Sequence, residues 1–286
     1  MAQKLRLAVQ KKGRLSEDSL SLVKESGINF SKNGGTLKSD AYNFPLEFLF
    51  LRDDDIPGYV SDGTADIGIV GQNELAEKDK DVQVVRELGF SKCRLSIGVP
   101  KLVDYPDSSF LEGKSIATSY PVILGKWLES KGINAEIHEI SGSVEIAPSI
   151  GLAEAICDLV STGSTLISNG LKEAEGIFDS QAVLIASKNL SPEKQEILDK
   201  LVFRFDSVMR ARGKKYITLN CKETDVAKIS TLIPGVKSPS ITKLAKEGWV
   251  SMNSVVSEND FWDVIDNVRT AGAEGVLVLP IEKIIE

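Results

Sequence analysis

Residues 155–166 read Ala-Ile-Cys-Asp-Leu-Val-Ser-Thr-Gly-Ser-Thr-Leu. The first six, apolar apart from Asp158, fit a buried strand, and the Gly163-centred loop after them opens onto a helix start. Strand, loop and helix in that order are the repeating unit of α/β proteins, whose ligand loops gather at the carboxyl ends of the strands. Ser161, Thr162, Ser164 and Thr165, with the backbone N–H groups that Gly163 frees, can surround a phosphate. Asp158 at the strand end can accept hydrogen bonds from sugar hydroxyls. Acid and hydroxyl cradle together suit a ribose phosphate, while the same residues also make an ordinary turn and helix N-cap.

The alternation extends outward in both directions. Upstream, strands are expected at 5–9, 45–51 and 66–70, with helices at 16–26 and 54–63. A second block from Cys93 carries expected strands at 94–99, 114–117 and 135–140, and helices at 121–130 and 144–153. The apolar run 181–186 is expected to return the chain to the first lobe. This rhythm predicts mostly parallel sheets covered by helices. A long helix over 191–211 then acts as a connector. Beyond it come strand 216–219, helix 224–233, strands 240–244 and 249–256, helix 260–271 and strand 275–279. That βαββαβ order is ferredoxin-like. The expected domains are residues 1–90 with 181–212, residues 91–180, and residues 213–286.

A chain of 286 residues exceeds the usual single domain. Its formal net charge of −7 argues against non-specific nucleic-acid binding, so an anionic substrate must be held by local cations. No apolar run reaches the 18 or so residues of a membrane span. The N-terminal residues lead straight into a strand-like segment without a signal-peptide pattern, so a cytoplasmic protein is expected. Cys93, Cys157 and Cys221 are far apart and odd in number, which suits reduced thiols better than a disulfide framework. With His138 the only histidine, catalysis by a histidine dyad or triad is nearly excluded.

Four loops at expected strand ends could carry chemistry. Gln10-Lys11-Lys12-Gly13-Arg14-Leu15 sets three cations around a glycine, fit for a polyphosphate or for a plain solvated turn. Arg52-Asp53-Asp54-Asp55 offers either helix capping or acceptors for a nucleotide. Ala117-Thr118-Ser119-Tyr120-Pro121 opens a helix and can bind an anion or simply cap. Gly142-Ser143-Val144-Glu145 has capping-box-like spacing, but Glu145 facing Asp158 would give two acceptors for a ribose diol. The convergence of all four favours a phosphorylated nucleotide or sugar site.

In order, the segments 5–15, 52–71, 113–121, 142–170 and the closing Val278-Leu279-Pro280-Ile281-Glu282-Lys283 resemble the ATP phosphoribosyltransferases in their long form. The resemblance covers essentially the whole chain, and the block from Asp158 to Gly170 is its most specific part. It implies a two-lobed, periplasmic-binding-protein-like α/β catalytic region followed by a ferredoxin-like (ACT-like) regulatory domain. It also implies a reaction: N1 of the ATP adenine attacks C1 of phosphoribosyl pyrophosphate and displaces pyrophosphate. Magnesium is carried mainly on the pyrophosphate, with no direct protein ligand assigned.

By the same resemblance Ser161, Thr162, Gly163, Ser164 and Thr165 hold the 5-phosphate. Asp158 and Glu145 take the ribose hydroxyls, and Arg14 joins them in the catalytic set. Lys11, Arg14, Arg52, Asp66 and Gly71 line the ATP site. Histidine, with AMP as a second candidate, is the implied inhibitor, and Ser240 and Thr242 are suited to an amino-acid effector. A homo-oligomer, dimeric and hexameric, without a separate regulatory subunit is implied too. Many phosphoribosyltransferases place two adjacent acids before the hydroxyl loop; here Cys157 precedes Asp158, so Glu145 is the candidate for the second acid.

Two other readings share the pattern. A two-lobed solute-binding protein has the same alternation and return strand, but the expected regulatory domain and the Asp158 loop favour an enzyme. A regulatory paralogue that binds nucleotide without turnover is the other, against which Arg14, Asp158 and Thr165 count.

Overall fold

In the computed structural model, strand β1 (Leu5–Gln10) buries Leu5, Leu7, Ala8 and Val9 completely. Apolar residues on both faces are what a strand with neighbours on each side and helices above and below requires. The structure describes residues 3–32, 36–233 and 238–285. They divide into two units, Met1–Lys200 and Leu201–Glu286. After β1 the chain forms α1 (Arg14–Glu25), β2 (Lys38–Asp40), β3 (Leu46–Leu51), α2 (Ile56–Ser61), β4 (Ile67–Gly71), α3 (Gln72–Lys78) and β5 (Gln83–Glu87). It continues through β6 (Cys93–Pro100), β7 (Ser115–Thr118), α4 (Pro121–Lys131), β8 (Glu136–Glu139), β9 (Ala155–Val160), α5 (Ser164–Ser168) and β10 (Leu171–Ser180). Strand β11 (Ala182–Ala186) and helix α6 (Pro192–Ala211) follow.

The strands of the first unit build two sheets, ordered β2-β3-β1-β4-β11-β5 and β10-β6-β9-β7-β8. Leaving out the short β2, both have the same internal order: β3-β1-β4-β11-β5 matches β8-β7-β9-β6-β10. Each sheet is a lobe, and each takes one strand from chain that has just left the other.

The expectation of mostly parallel sheets is corrected. β1 is parallel to β3 and β4, and β7 to β8 and β9. β11 is antiparallel to β4 and β5, and β6 to β9 and β10, because the crossing strands enter from the opposite end. The helix expected over 144–153 is a 3-10 segment, Val144–Ile150, with Pro148 inside it. Proline lacks the N–H and crowds the preceding turn, so an α-helix does not propagate there.

Alternation along β9 sorts its side chains. Ala155 and Cys157 pack with Ile97 of β6 and Ile123 and Leu124 of α4. Ile156 and Val160 turn the other way, onto Ala147 of the 3-10 segment and Leu166 of α5. Asp158 shares that second face by the two-residue period of a strand.

The second unit contains β12 (Lys214–Lys222), α7 (Val226–Leu232), β13 (Ser240–Lys243), β14 (Trp249–Ser257), α8 (Glu258–Thr270) and β15 (Glu274–Pro280). The sheet order β13-β14-β12-β15, antiparallel throughout, is the ferredoxin-like one. Ile217, Leu219 and Cys221 of β12 and Val250 and Met252 of β14 pack with Ile229 and Phe261 of the helices. Ser257 caps α8, accepting the Asp260 N–H at 3.1 Å. Among the described residues no helix is long and apolar enough to cross a membrane.

Candidate active site

The carboxyl ends of β1, β3 and β4 bring Lys11, Arg52 and Gly71 to one end of the first sheet. The loop after β9 comes from the second sheet, and the two lobes meet where Arg14 Nη1 donates to Ser161 Oγ at 3.1 Å. Arg14 reaches this point as the first residue of α1. Gly13 before it has φ 100, a backbone conformation that favours glycine.

Gly163 is the N-cap residue of α5, at φ 77 and ψ 0, and no side chain caps the helix. The hydroxyls of the loop therefore do not serve as the N-cap. Thr162 Oγ1 lies 3.1 Å from Ser164 Oγ, and Ser161 accepts from Arg14. A cavity of about 190 Å³ opens between Glu145, Asp158, Thr162, Gly163, Ser164 and Thr165. Two carboxylates, the loop hydroxyls and the start of α5 share its lining, groups that can bind a ribose phosphate.

Asp158 is half-buried, and burial raises its pKa; the Leu159 N–H, donating at 2.7 Å, opposes the rise, and the Glu145 charge adds to it. Cys157 is fully buried on the α4 side, where burial pushes its thiol up and keeps it inert. It cannot act as the second acid, whereas Glu145 lines the same cavity as Asp158. Glu145 is delivered by left-handed residues at Gly142 (φ 82) and Ser143 (φ 51). Ser143 makes no side-chain cap bond, so the capping-box alternative is not realised.

Two of the nearby cations already have partners. Lys32 Nζ donates to the Lys11 carbonyl at 2.7 Å and lies 4.8 Å above the Phe50 ring, bracing the Lys11 loop from beneath. Arg52 is exposed and holds Asp54 at 3.1 Å, so an anionic ligand must compete with that carboxylate. Asp53 accepts from Gln10 Nε2 at 3.1 Å.

Asp66 is not brought to this cleft. It lies at the amino end of β4, opposite the ligand loops, buried against Arg6 at 3.4 Å and Lys194 at 2.7 Å. Its charge is consumed by that ion triad. Gly71 is at the correct strand end, but the position a Cβ would occupy is taken by the Asn73 side chain. The Thr118–Pro121 loop is not an open anion site either. The N–H groups of Val122 and Ile123 at the start of α4 donate to the Glu77 carboxylate at 2.9 and 3.0 Å. Ser240 and Thr242 lie exposed on edge strand β13, in register with Asn253 and Ser251 of β14.

One polar cluster beside Asp158 escaped the sequence reading. Ser96 of β6 is in register with Asp158, and its hydroxyl donates to Glu173 of β10 at 2.8 Å, while Glu173 also grips Arg94 in a bidentate pair. Only the pairing of β10 with β6 brings these residues together, and nothing local in the sequence announces it.

The family model for ATP phosphoribosyltransferase matches residues 52–207, and the model for the HisG C-terminal domain matches residues 211–283. The chain is 61% identical to an ATP phosphoribosyltransferase of Cytophaga hutchinsonii over 286 residues, covering all of both chains. It is 53% identical to that of Bacteroides thetaiotaomicron over 281 residues, 98% of this chain and 99% of the relative. Among solved structures, a Thermotoga maritima chain from an ATP phosphoribosyl transferase (HisG:HisZ) complex superposes with a TM-score of 0.60 at 29% identity. That match covers 70% of this chain and 98% of the other. With its cleft loops, its two lobes and its ferredoxin-like C-terminal unit, the chain belongs to the long-form ATP phosphoribosyltransferase family, the enzymes of the first step of histidine biosynthesis.

Proposed function

We propose that the cleft joins ATP to phosphoribosyl pyrophosphate, forming a bond from adenine N1 to ribose C1 as the bond from C1 to pyrophosphate breaks with inversion. The observation that carries this reading is Arg14 reaching across the lobes to Ser161 beside an uncapped hydroxyl loop and two carboxylates. Ser161 to Thr165 hold the 5-phosphate, and Asp158 and Glu145 accept the ribose hydroxyls. Arg14, Lys11 and Arg52 meet the phosphates of the nucleotide and the leaving group. Gly71 contributes backbone to the nucleotide wall, and Asp66 is left out of the site because of its ion triad. A transition state with oxocarbenium character and a good leaving group needs alignment and charge stabilisation more than a strong base.

Magnesium enters on the pyrophosphate of the substrate. Such an ion takes one or two protein carboxylates at most and is otherwise held by phosphate oxygens and water, so it requires no dedicated protein cage.

Residues 1–90 with 181–212 form one catalytic lobe in this reading, residues 91–180 the other, and residues 213–286 a regulatory domain for histidine, with Ser240 and Thr242 at the effector site. AMP is a second inhibitor. The active species is a cytoplasmic homo-oligomer, dimeric and hexameric, that needs no separate regulatory subunit. The test is incubation with ATP, phosphoribosyl pyrophosphate and magnesium, with inorganic pyrophosphatase present to draw the equilibrium forward. Formation of the N1-phosphoribosyl adduct supports the reading, and its absence from folded protein would sink it.

A further inference from the structure

Beneath the cleft lies a set of polar side chains that the transfer reading leaves without a role. Asn73 and Glu74 of α3, Tyr120 before α4 and Ser180 at the end of β10 are each no more than 9% exposed. Tyr120 Oη donates to Glu74 Oε1 at 2.9 Å. Asn73 Nδ2 donates to the same carboxylate oxygen at 3.1 Å and to Tyr120 Oη at 3.2 Å. Ser180 Oγ donates to Asn73 Oδ1 at 2.8 Å and accepts the Asn73 backbone N–H at 3.1 Å.

The network ties together three separate parts of the first unit. Helix α3 follows β4 and belongs to the first lobe; Tyr120 follows β7 of the second; Ser180 is the last residue before the chain crosses into β11. One turn along α3, Glu77 closes the start of α4, and the Gln72 N–H donates to the Gln181 carbonyl at 3.0 Å in the crossing itself. Gly71 is part of the same construction, since only a residue without a Cβ leaves Asn73 its place. An apolar contact between lobes could slide, but directional hydrogen bonds in a dry environment hold one register, and leaving one unmade is costly.

We propose that Asn73, Glu74, Tyr120 and Ser180 are positioning residues, a clasp that fixes how Arg14 of the first lobe stands opposite the Ser161–Thr165 loop of the second. The inference rests on the reading of that cleft as the transfer site. Each lobe then binds its own share of the substrates whether or not the clasp is intact. The clasp acts on alignment at the moment of transfer, where a misplacement of about 1 Å is enough to cost about 10²-fold in rate.

The full-length protein carrying Tyr120→Phe, which removes one oxygen, is expected to lose about 10- to 10²-fold in kcat. Binding of ATP alone and of phosphoribosyl pyrophosphate alone should change little by titration calorimetry. Glu74→Gln keeps the acceptor oxygen and should retain most of the rate, whereas Glu74→Leu should lose it. Hydrogen exchange at the Asn73, Val122 and Ile123 amides should accelerate in Tyr120→Phe and Glu74→Leu but not in Glu74→Gln. A Tyr120→Phe enzyme with wild-type kcat, or a Glu74→Gln enzyme as slow as Glu74→Leu, overturns the clasp. If the wild-type protein makes no adduct, the transfer reading fails by itself. The exchange experiment then decides separately: unchanged exchange in Tyr120→Phe overturns the clasp, and acceleration retains it as the bond between the lobes.

Discussion

Arg14 and Ser161 are 147 positions apart in the sequence and 3.1 Å apart in the structure. The contact places a guanidinium from the first turn of α1 on the hydroxyl that opens the loop after β9. A phosphate entering between them would replace the neutral partner with a charged one, and charge-assisted bonds are about twice as strong. Arg14→Met is expected to lower kcat/KM by about 10²-fold, Ser161→Ala by about tenfold. If both groups hold the same anion, steady-state kinetics on the double variant will show a loss smaller than the product of the single losses. Simple multiplication would place them on separate ligand groups.

Asp158 links activity to stability with a defined sign. Burial raises its pKa, with the Leu159 N–H opposing and Glu145 adding. A carboxyl whose pKa is higher folded than unfolded favours the folded state below the unfolded value of about 3.9, and that contribution is lost as pH rises through the folded value. At neutral pH the ionised, half-buried carboxylate therefore disfavours folding. Asp158→Asn, which keeps the acceptor for the Leu159 N–H, should raise Tm at pH 7 to 8 by about 2 °C and converge with the wild type near pH 4. Its rate should fall sharply in the same preparation. Thermal unfolding across pH checks the first part, and a Tm below wild type at neutral pH would contradict it.

Gly163 is needed for backbone shape. Its φ of 77 turns the chain from β9 into α5, and an alanine there meets the left-handed penalty of about 1–2 kcal/mol. Gly163→Ala should weaken phosphoribosyl pyrophosphate binding and leave binding of ATP alone near wild type. Titration with each substrate separately distinguishes this from general destabilisation, which would weaken both.

The proposed effector site makes a different demand. Thr242 is exposed on β13 opposite Ser251, so Thr242→Val removes a hydroxyl without disturbing a core. The concentration of histidine giving half inhibition should rise about tenfold, with kcat in the absence of histidine unchanged. Wild-type inhibition in Thr242→Val moves the effector away from this edge.

Legibility in the sequence followed burial. β9 is bounded at Ala155 and Val160 as expected from the apolar run, and β11 falls within the expected return segment. β10, at ten residues the longest strand among the described residues, went unread. Lys172, Glu173, Glu175 and Asp179 break its apolar pattern, because this edge strand is mostly half-buried and fully buries only Leu171 and Ser180. Ser161 to Thr165 line one cavity because they follow one another in a single loop, which the sequence alone displays. A charge with a distant partner is harder to place. Nothing near Asp66 in sequence announces Lys194, and nothing near Tyr120 announces Glu74. Residue types fix what a side chain can bind, and tertiary pairing decides what it does bind.

The placement of β11 has a consequence for the order in which the molecule assembles. The second lobe is built from one unbroken stretch, β6 to β10, and can pair all its strands once that stretch has left the ribosome. The first lobe cannot, because β11 sits between β4 and β5. Until residue 186 emerges, β4 and β5 have open edges with no bridge between them, and unpaired edges invite wrong partners. The later half of the first unit is thus free to fold first and then deliver the strand that completes the earlier half.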